Sequence, residues 1–254
     1  MQFFAKLALV GSLASSLLGV LAAPVDGAVF PRQLAQVITS CTVPNTVALT
    51  FDDGPYLYTY EISEMILAAG GKATFFLNGN NYECIYSKDN VDRIKYLHDK
   101  GHHIGSHTWG HKNLTTLSWD EVHHEMWLVE EAMQRIIGVT PAFMRPPFGS
   151  YNDNVLRASA VRGQKVAIWD FDSGDSAGLT AEESKREYDR IVARHPSNIL
   201  ALNHETYERT AHDILPYAIE KLQAKGYKMV TLSECLGEPA YQSIGSPASG
   251  SWSC

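Results

Sequence analysis

The sequence lacks several patterns that identify common protein classes. None of its four cysteines belongs to a Cys-x-x-Cys pair, which disfavours a zinc knuckle or a dithiol redox motif. No Gly-x-Gly-x-x-Gly follows a predicted strand, which disfavours a dinucleotide-binding fold. After residue 23, no apolar run is long enough to cross a membrane. We therefore predict no membrane span in the body of the chain.

Positive charge is also scarce. The 254 residues include 21 Lys and Arg against 28 Asp and Glu, which gives a net charge of −7 at pH 7 and a pI near 5.8. A surface of this sign repels nucleic-acid phosphates and other polyanions. We therefore expect no nucleic-acid partner, whereas a neutral polymer or a small molecule remains open as a ligand. The chain is also expected to be a monomer.

The first residues have the pattern of a secretory signal peptide. Lys6 precedes an apolar stretch over 7–21, and small residues follow it up to Pro24. A membrane anchor is the alternative, but the stretch is interrupted by Gly and Ser and is shorter than the roughly 20 apolar residues of a spanning helix. We predict a signal peptide over 1–22, a leader or short pro-segment over 23–40, and an extracellular or cell-wall location.

Secretion would make the cysteines candidates for disulfides. Cys41, Cys84, Cys235 and Cys254 allow three pairings, which the sequence alone leaves open. Asn113-Leu114-Thr115 is a sequon, and it predicts N-glycosylation at Asn113 in a secreted chain.

From Thr46 onward, short apolar strands alternate with amphipathic helices. The predicted strands cover 47–51, 73–77, 103–106, 142–145, 165–169, 199–202 and 228–231. The predicted helices cover 61–69, 90–99, 119–137, 152–161, 181–194 and 211–224. Repeated β-α-β order predicts a parallel sheet, and about seven units in a single domain favour a closed or nearly closed (β/α) barrel. An open doubly wound sheet is the alternative. The segment after residue 237 is rich in Ser, Gly and Pro and is predicted to be irregular.

Polar side chains follow five of these strands, at the ends where barrel enzymes carry their active sites. They are Asp52-Asp53, the pair His107 and His111, Arg145, the acidic stretch 170–175, and Asn203-His204. Residues that merely fill a core would not gather at strand ends. The sequence therefore predicts one functional site at this edge of the sheet.

The spacing of His107 and His111 suggests a metal site. Two His four residues apart lie on one face of a helical turn and can bind one cation. A carboxylate from Asp52-Asp53 would complete a His-His-Asp set that leaves positions for water and substrate. We predict a divalent metal, with Zn²⁺ expected and Co²⁺ as the alternative. The other histidines, His98, His102, His103, His123, His124, His195 and His212, lack this setting and are interpreted as surface residues.

These motifs resemble those of the polysaccharide deacetylases of the NodB-homology type, most closely the secreted fungal chitin deacetylases. The motifs Thr-Phe-Asp-Asp-Gly, His-Thr-x-x-His, Arg-Pro-Pro-Phe, Asp-x-x-Asp and Leu-x-His occur in the family's order. The resemblance covers roughly 41–237, so the segment 238–254 is assigned as a C-terminal tail. It implies a distorted (β/α) barrel that hydrolyses N-acetyl groups of chitin or chitooligosaccharides. A deacetylase or esterase of acetyl-xylan or peptidoglycan, and a non-catalytic sugar-binding protein, are the alternatives.

The resemblance also implies a role for each matching residue. Asp53, His107 and His111 would bind the metal. Asp52 would be the catalytic base, oriented by Arg145, and His204 the catalytic acid, paired with Asp175. The substrate would be contacted by Leu202, by Phe148 or Gly149 through a backbone N–H near the oxyanion, and by Tyr151.

Two further expectations follow from the same resemblance. Many members of the family have Trp or Tyr where this chain has Ser176. Trp169 or Phe171 would then have to supply the missing aromatic wall of the acetyl pocket. Fungal relatives have a cysteine at the positions of Cys41 and Cys235, which implies a disulfide between them and leaves Cys84 and Cys254 as the remaining two.

Overall fold

A computed structural model of the chain describes residues 33–254. The predicted signal peptide, and the predicted leader as far as residue 32, lie outside the described residues. No helix within 33–254 combines the length and the apolar character that crossing a membrane requires.

A parallel sheet organises the domain. The strands are β1 (Val37–Ile38), β2 (Thr46–Asp52), β3 (Thr74–Leu77), β4 (His103–Ser106), β5 (Val139–Pro141), β6 (Phe143–Met144), β7 (Lys165–Ala167), β8 (Phe171–Asp172), β9 (Asn198–His204), β10 (Lys228–Val230) and β11 (Tyr241–Ile244). Nine of them form one sheet in the order β1-β7-β6-β4-β3-β2-β9-β8, with β10 also paired to β2. Every pairing in this sheet is parallel. The sheet curls into a half-barrel, so the predicted distorted (β/α) barrel is confirmed.

The α-helices surround this sheet. They are α1 (Thr59–Ala68), α2 (Lys88–Asp99), α3 (Trp119–Ile137), α4 (Asp153–Val161), α5 (Ala181–Arg194), α6 (Leu215–Ala224) and α7 (Leu232–Leu236). Capping boxes begin α3 and α5. Ser118 and Thr180 accept from the backbone N–H of Glu121 and Glu183, whose carboxylates accept from the cap backbone in return.

Strand β2 lies at the centre of the fold. All seven of its residues are buried, and it pairs with β3, β9 and β10. Burial on both faces explains why Val47, Ala48 and Leu49 are apolar in succession rather than alternating with polar residues. Two carboxylates follow directly where this run ends, and they are therefore held by the most constrained strand of the sheet.

Three segments differ from the sequence prediction. The tail was predicted to be irregular, but β11 pairs antiparallel with β5. Strand β1 lies inside the predicted leader and pairs with β7. Both strands are short and gain their hydrogen bonds from distant residues, so local sequence gives them little signal. The helix predicted over 211–224 begins instead as a π-helical turn, Thr210–Ile214, just ahead of Pro216, which has no N–H to donate.

Two disulfides are present. Cys41 is bonded to Cys235, as the resemblance implied, and Cys84 is bonded to Cys254, with Cα–Cα distances of 5.2 and 5.8 Å. The first joins the segment before β2 to α7, after the last strand of the main sheet. The second ties the end of the chain to the loop after β3.

Candidate active site

The carboxyl ends of β2, β4 and β9 open into one cleft of about 350 Å³. Most of the residues that line this cleft are ones that the sequence indicated. The lining residues are Asp52, Asp53, His107, His111, Phe148, Gly149, Trp169, Asp172, Ser176, Leu202, His204 and Tyr207. Parallel strands end at the same edge of a sheet, which explains why side chains far apart in sequence meet here.

Asp53, His107 and His111 form the one group within residues 33–254 that could hold a metal ion, with ligand atoms within 4.8 Å of one another. Asp53 Oδ1 lies 3.5 Å from His107 Nε2 and 3.2 Å from His111 Nε2. This oxygen is buried and has no hydrogen-bond partner. Buried carboxylate oxygens are normally satisfied, and two imidazoles with one carboxylate are donors that suit Zn²⁺ and similar ions. The three residues therefore fit a divalent metal.

The protonation of Asp53 and His111 suits the same purpose. Burial opposes ionisation of Asp53, but the nearby imidazoles of His107 and His111 bring its pKa below the ordinary value. Burial and the neighbouring His107 lower the pKa of His111. An anionic carboxylate and neutral imidazoles are the forms that bind metals.

The two histidines do not lie on a helical turn, so that part of the sequence argument is wrong. Residues 107–111 form an irregular loop in which Thr108 and His111 have positive φ, at 69° and 51°. This path still brings the two rings to a centroid distance of 5.0 Å. Asp53 and Phe148 also have positive φ, at 76° and 61°. Such conformations cost free energy in non-glycine residues and are typical of functional sites.

Arg145 connects the two sides of the site. Its backbone carbonyl lies 2.8 Å from His107 Nδ1, so the ring donates there and leaves Nε2 free to face Asp53. Its wholly buried guanidinium donates to Asp52 Oδ1 at 2.8 Å and to Thr50 Oγ1 at 2.6 Å. It also donates to two backbone carbonyls, those of Ala167 and Ile168. Asp52 is thus held by a rigid cation that has little freedom of its own.

His204, which also lines the cleft, is held by Asp175. Its Nδ1 lies 2.8 Å from Asp175 Oδ1, and its backbone N–H donates to Asp175 Oδ2 at 2.7 Å. Thr210 donates to the same carboxylate, which is wholly buried. Burial disfavours a charged His204, but the hydrogen bond and charge of Asp175 outweigh it and raise its pKa to about 9. His204 is therefore a cation at neutral pH.

The register of the sheet sets Asp52 against His204. The two residues are paired across β2 and β9 at the last position of both strands. The predicted base and the predicted acid therefore stand side by side at the rim of the cleft. Asp53, the next residue, lies beside the two histidines.

The predicted substrate contacts are only partly brought together. Leu202, Phe148 and Gly149 line the cleft, whereas Tyr151 is exposed and is not among the lining residues. The N–H of Gly149 already donates to Pro146 O at 3.0 Å, which leaves Phe148 as the better-placed backbone donor of the two. Tyr151 therefore stays a prediction without support from this cleft.

Of the two aromatic residues expected to compensate for Ser176, Trp169 lines the cleft and Phe171 does not. Trp169 approaches Gly149 so closely that a Cβ there would lie 2.8 Å from its ring. Phe171 instead packs against Tyr188 in the core, with ring centroids 4.8 Å apart. Tyr207, which the sequence argument did not single out, also lines the cleft. Its position three residues after His204 was the one sequence feature that could have indicated its place in the cleft.

Two histidines interpreted as surface residues are buried, and that interpretation is wrong for them. His102 and His103 begin β4, at the end opposite to His107. His102 accepts from the Ala73 N–H and lies 2.8 Å from Ser63 Oγ. Burial lowers the pKa of His102 to about 4 and that of His103 to about 3, so both are neutral core residues.

Asn113, the predicted glycosylation site, is half-buried at the start of a short 3₁₀ turn. Its Oδ1 accepts from the N–H and the hydroxyl of Thr115. Glycosylation of this residue stays a prediction.

Comparisons with known proteins find deacetylases. A family model described as polysaccharide deacetylase matches residues 39–167. A chitin deacetylase of a Pestalotiopsis species is 36% identical over 80% of this chain and 67% of its own length. A peptidoglycan-N-acetylglucosamine deacetylase of Bacillus cereus is 34% identical over 73% of this chain and 66% of its own length. The solved chitin deacetylase of the fungal pathogen Colletotrichum lindemuthianum superposes with a TM-score of 0.78 at 31% identity, covering 84% of this chain and 96% of that one.

Proposed function

We propose that this chain, which belongs to the polysaccharide deacetylase family of hydrolases acting on N-acetyl amide bonds, is a secreted, metal-dependent chitin deacetylase. The products would be acetate and chitosan or its oligomers. One observation carries the proposal. The metal-donor set lines the same cleft as a carboxylate fixed by Arg145 and a cationic His204 fixed by Asp175.

Amide hydrolysis at neutral pH needs a stronger nucleophile than free water. A divalent ion held by Asp53, His107 and His111 would supply it by lowering the pKa of water to about 7, and would polarise the acetyl carbonyl. The buried, unpartnered Oδ1 of Asp53 supports this assignment.

Asp52 is assigned as the general base. A water that attacks the acetyl carbon must lose a proton, and a carboxylate at the rim of the cleft can accept it. Arg145 donates to Asp52 Oδ1 at 2.8 Å and so holds the carboxylate in place. Arg145 also prevents rotation of Asp52, because its other donors are fixed to Thr50 and to the backbone.

His204 is assigned as the general acid. The amine of glucosamine leaves only if its nitrogen gains a proton as the C–N bond breaks. A His204 cation can donate that proton from Nε2, since Nδ1 is bonded to Asp175. Thr210 and the His204 backbone hold Asp175 in turn, so the ring is oriented before substrate arrives.

The acetyl group would lie between Leu202, Trp169 and the loop at Phe148. The N–H of Phe148 would stabilise the oxygen that becomes negative as the carbonyl is attacked. Leu202 and Trp169 offer an apolar surface for the methyl group. The substrate class follows from the fungal relative and from the net charge of −7, which favours an uncharged polymer over an anionic one.

Export from the cell is part of the proposal. The N-terminal pattern predicts a signal peptide, and the two disulfides are of the kind that persists in oxidising compartments. The Bacillus relative keeps peptidoglycan as the second candidate substrate.

The test is acetate release from N-acetylglucosamine oligomers by the metal-free protein, with and without added Zn²⁺ or Co²⁺. Acetyl-xylan and peptidoglycan serve as competing substrates in the same assay. We expect chitooligosaccharides to give the highest kcat/KM and a chelator to abolish the reaction. Metal binding without acetate release from any chitooligosaccharide would refute the proposed substrate.

A further inference from the structure

Glu205, which the mechanism does not use, is buried directly beneath the loop that carries Asp53. Its side chain is wholly inaccessible, and Oε1 accepts from the Tyr56 N–H at 3.0 Å and from Thr59 Oγ1 at 2.8 Å. Its own N–H donates to Asp52 O at 3.2 Å. One residue therefore holds both ends of the turn over 52–56.

The glycine of the Asp-Asp-Gly-Pro motif is explained by the same side chain. A Cβ on Gly54 would lie 1.7 Å from Glu205 Oε1 and 2.1 Å from its carboxyl carbon. Gly54 is not among the residues with positive φ, so its backbone conformation does not itself require glycine. Glycine is needed here because the carboxyl group occupies the place of a side chain.

Asp53 lies inside this turn with a φ of 76°. A non-glycine residue in that region is strained and persists only where its surroundings fix it. Glu205 fixes Asp52, the residue before Asp53, through its carbonyl, and Tyr56, three residues after Asp53, through its N–H. Removing Glu205 would let Asp53 relax to a conformation in which its carboxylate no longer faces the two histidines.

We propose that Glu205 is a positioning residue that holds Asp53 in its metal-binding conformation and couples this turn to His204, its neighbour on β9. No role was predicted for it from the sequence. The burial that excludes water also raises the pKa of Glu205 to about 8, so at neutral pH its carboxyl favours the uncharged form and can stay buried without a counter-ion. The inference rests on the proposed function only in taking Asp53, His107 and His111 as the metal ligands.

The experiment measures metal affinity directly, by calorimetry with Zn²⁺ and by the absorption spectrum of bound Co²⁺. Glu205→Ala should weaken binding by about 10- to 100-fold, the effect usual for residues that orient metal ligands, and should change the Co²⁺ spectrum. Glu205→Gln keeps an oxygen at the Tyr56 N–H and should bind metal nearly as tightly as the parent.

Glu130 provides a matched control. It is also a buried glutamate with its carboxylate partnered, to Arg162 and Gln164, but it lies on α3 away from the cleft. Glu130→Ala should lower Tm and leave metal affinity unchanged. A Glu205→Ala variant that behaves in the same way would overturn the proposal, because its role would then be structural only.

A second substitution tests the same contact from the other side. Gly54→Ala places a methyl group against Glu205 and should weaken metal binding in the parent. In the Glu205→Ala background that space is vacated, and Gly54→Ala should cost little further affinity. Equal losses in both backgrounds would contradict the proposal. If Glu205→Ala does not fold, the proposal is tested with Gly54→Ala and Glu205→Gln. Unchanged metal affinity in Gly54→Ala would overturn the proposal.

The result stays separable from the proposed function. A parent protein that binds metal but hydrolyses no acetylated sugar refutes the function, while the ratios of metal dissociation constants still judge Glu205. A parent that hydrolyses chitooligosaccharides with all variants equal in metal affinity refutes the positioning role alone.

Discussion

Asp52 and Asp53 are adjacent in sequence but have different surroundings. Asp52 ends β2 and its Oδ1 accepts from Arg145, whereas Asp53 has left the strand and its Oδ1 faces His107 and His111. The positive φ of Asp53 turns its side chain away from the direction that a continued strand would give it. Two neighbouring carboxylates can therefore serve as different groups, one as a base and the other as a metal ligand.

Asp52→Asn separates these two roles. The amide cannot accept the proton of water, and we expect kcat to fall by about 10²- to 10⁴-fold with metal affinity retained. His107→Ala should instead lose metal binding. Acetate release measured beside metal content checks both variants, and substantial turnover by Asp52→Asn would show that another group is the base.

The His204–Asp175 pair predicts the alkaline limb of the pH profile. The pKa of His204 is raised to about 9, so kcat/KM should fall as the pH rises through about 9 and the acid is lost. Asp175→Asn removes the partner that raises this pKa, and the limb should move to lower pH. Rate measurements over a pH series check this; an unshifted limb in Asp175→Asn would exclude His204 as the titrating acid.

The same pair contributes to stability with a defined sign. A histidine whose pKa in the folded protein exceeds the ordinary value of 6.5 makes its full contribution to stability at pH values below 6.5. The contribution is lost as the pH rises toward about 9. Thermal unfolding of Asp175→Asn should therefore differ from the parent more at pH 6 than at pH 9.

Among the elements, α3 has the most complete local signals. Ser118 and Glu121 form a capping box at its start, and Gly138 ends it with a φ of 74°. Both signals are contained in a few neighbouring residues, which is why the bounds of this helix could be predicted without knowledge of the fold.

Ser118→Ala tests how much this cap stabilises the helix. Loss of the side-chain acceptor leaves an N–H of the first turn unsatisfied and should cost about 1 kcal/mol. For a domain of this size we expect Tm to fall by about 2–4 °C with unchanged activity. Ser253→Ala, an exposed residue of the tail, is the control, and equal Tm values for the two variants would contradict the role of the cap.

Short elements behave differently from α3. Strands β1, β5, β8 and β11 have two to four residues and were not predicted. Helix α7 was also missed, although Thr231 and Glu234 form a capping box there, because five residues are too few for an apolar period. Of the strands that carry the site, β2 and β9 have seven residues each and β4 has four, and the sequence located all three.

At the scale of the whole molecule, the Cys41–Cys235 disulfide spans almost the entire domain. Its sequence separation is 194 residues, and closing so long a loop restricts the unfolded chain strongly. Replacing both cysteines by alanine should cost about 5 kcal/mol in the chain-entropy model, which corresponds to a fall in Tm of roughly 10–20 °C.

The Cys84–Cys254 disulfide provides the comparison. It joins the tail to the loop after β3, so breaking it frees a peripheral segment while the main sheet keeps its disulfide. We expect Cys84→Ser with Cys254→Ser to lower Tm less than loss of the first disulfide. Calorimetry ranks the two variants, and the reverse order would contradict this assignment of roles.

The sequence by itself determined the alternation of the main strands and helices, the barrel class and the set of residues at the strand ends. Those features depend on local periodicity, on caps and on the motifs after each strand, all of which lie within short stretches. Tertiary structure decided what those residues do to one another. The approach of His107 and His111 depends on left-handed residues in an irregular loop, and the charge of His204 depends on the hydrogen bond and charge of Asp175, which outweigh burial. Glu205 shows the limit most clearly, because its importance lies in contacts with Gly54 and Tyr56, about 150 residues away, which no local pattern encodes.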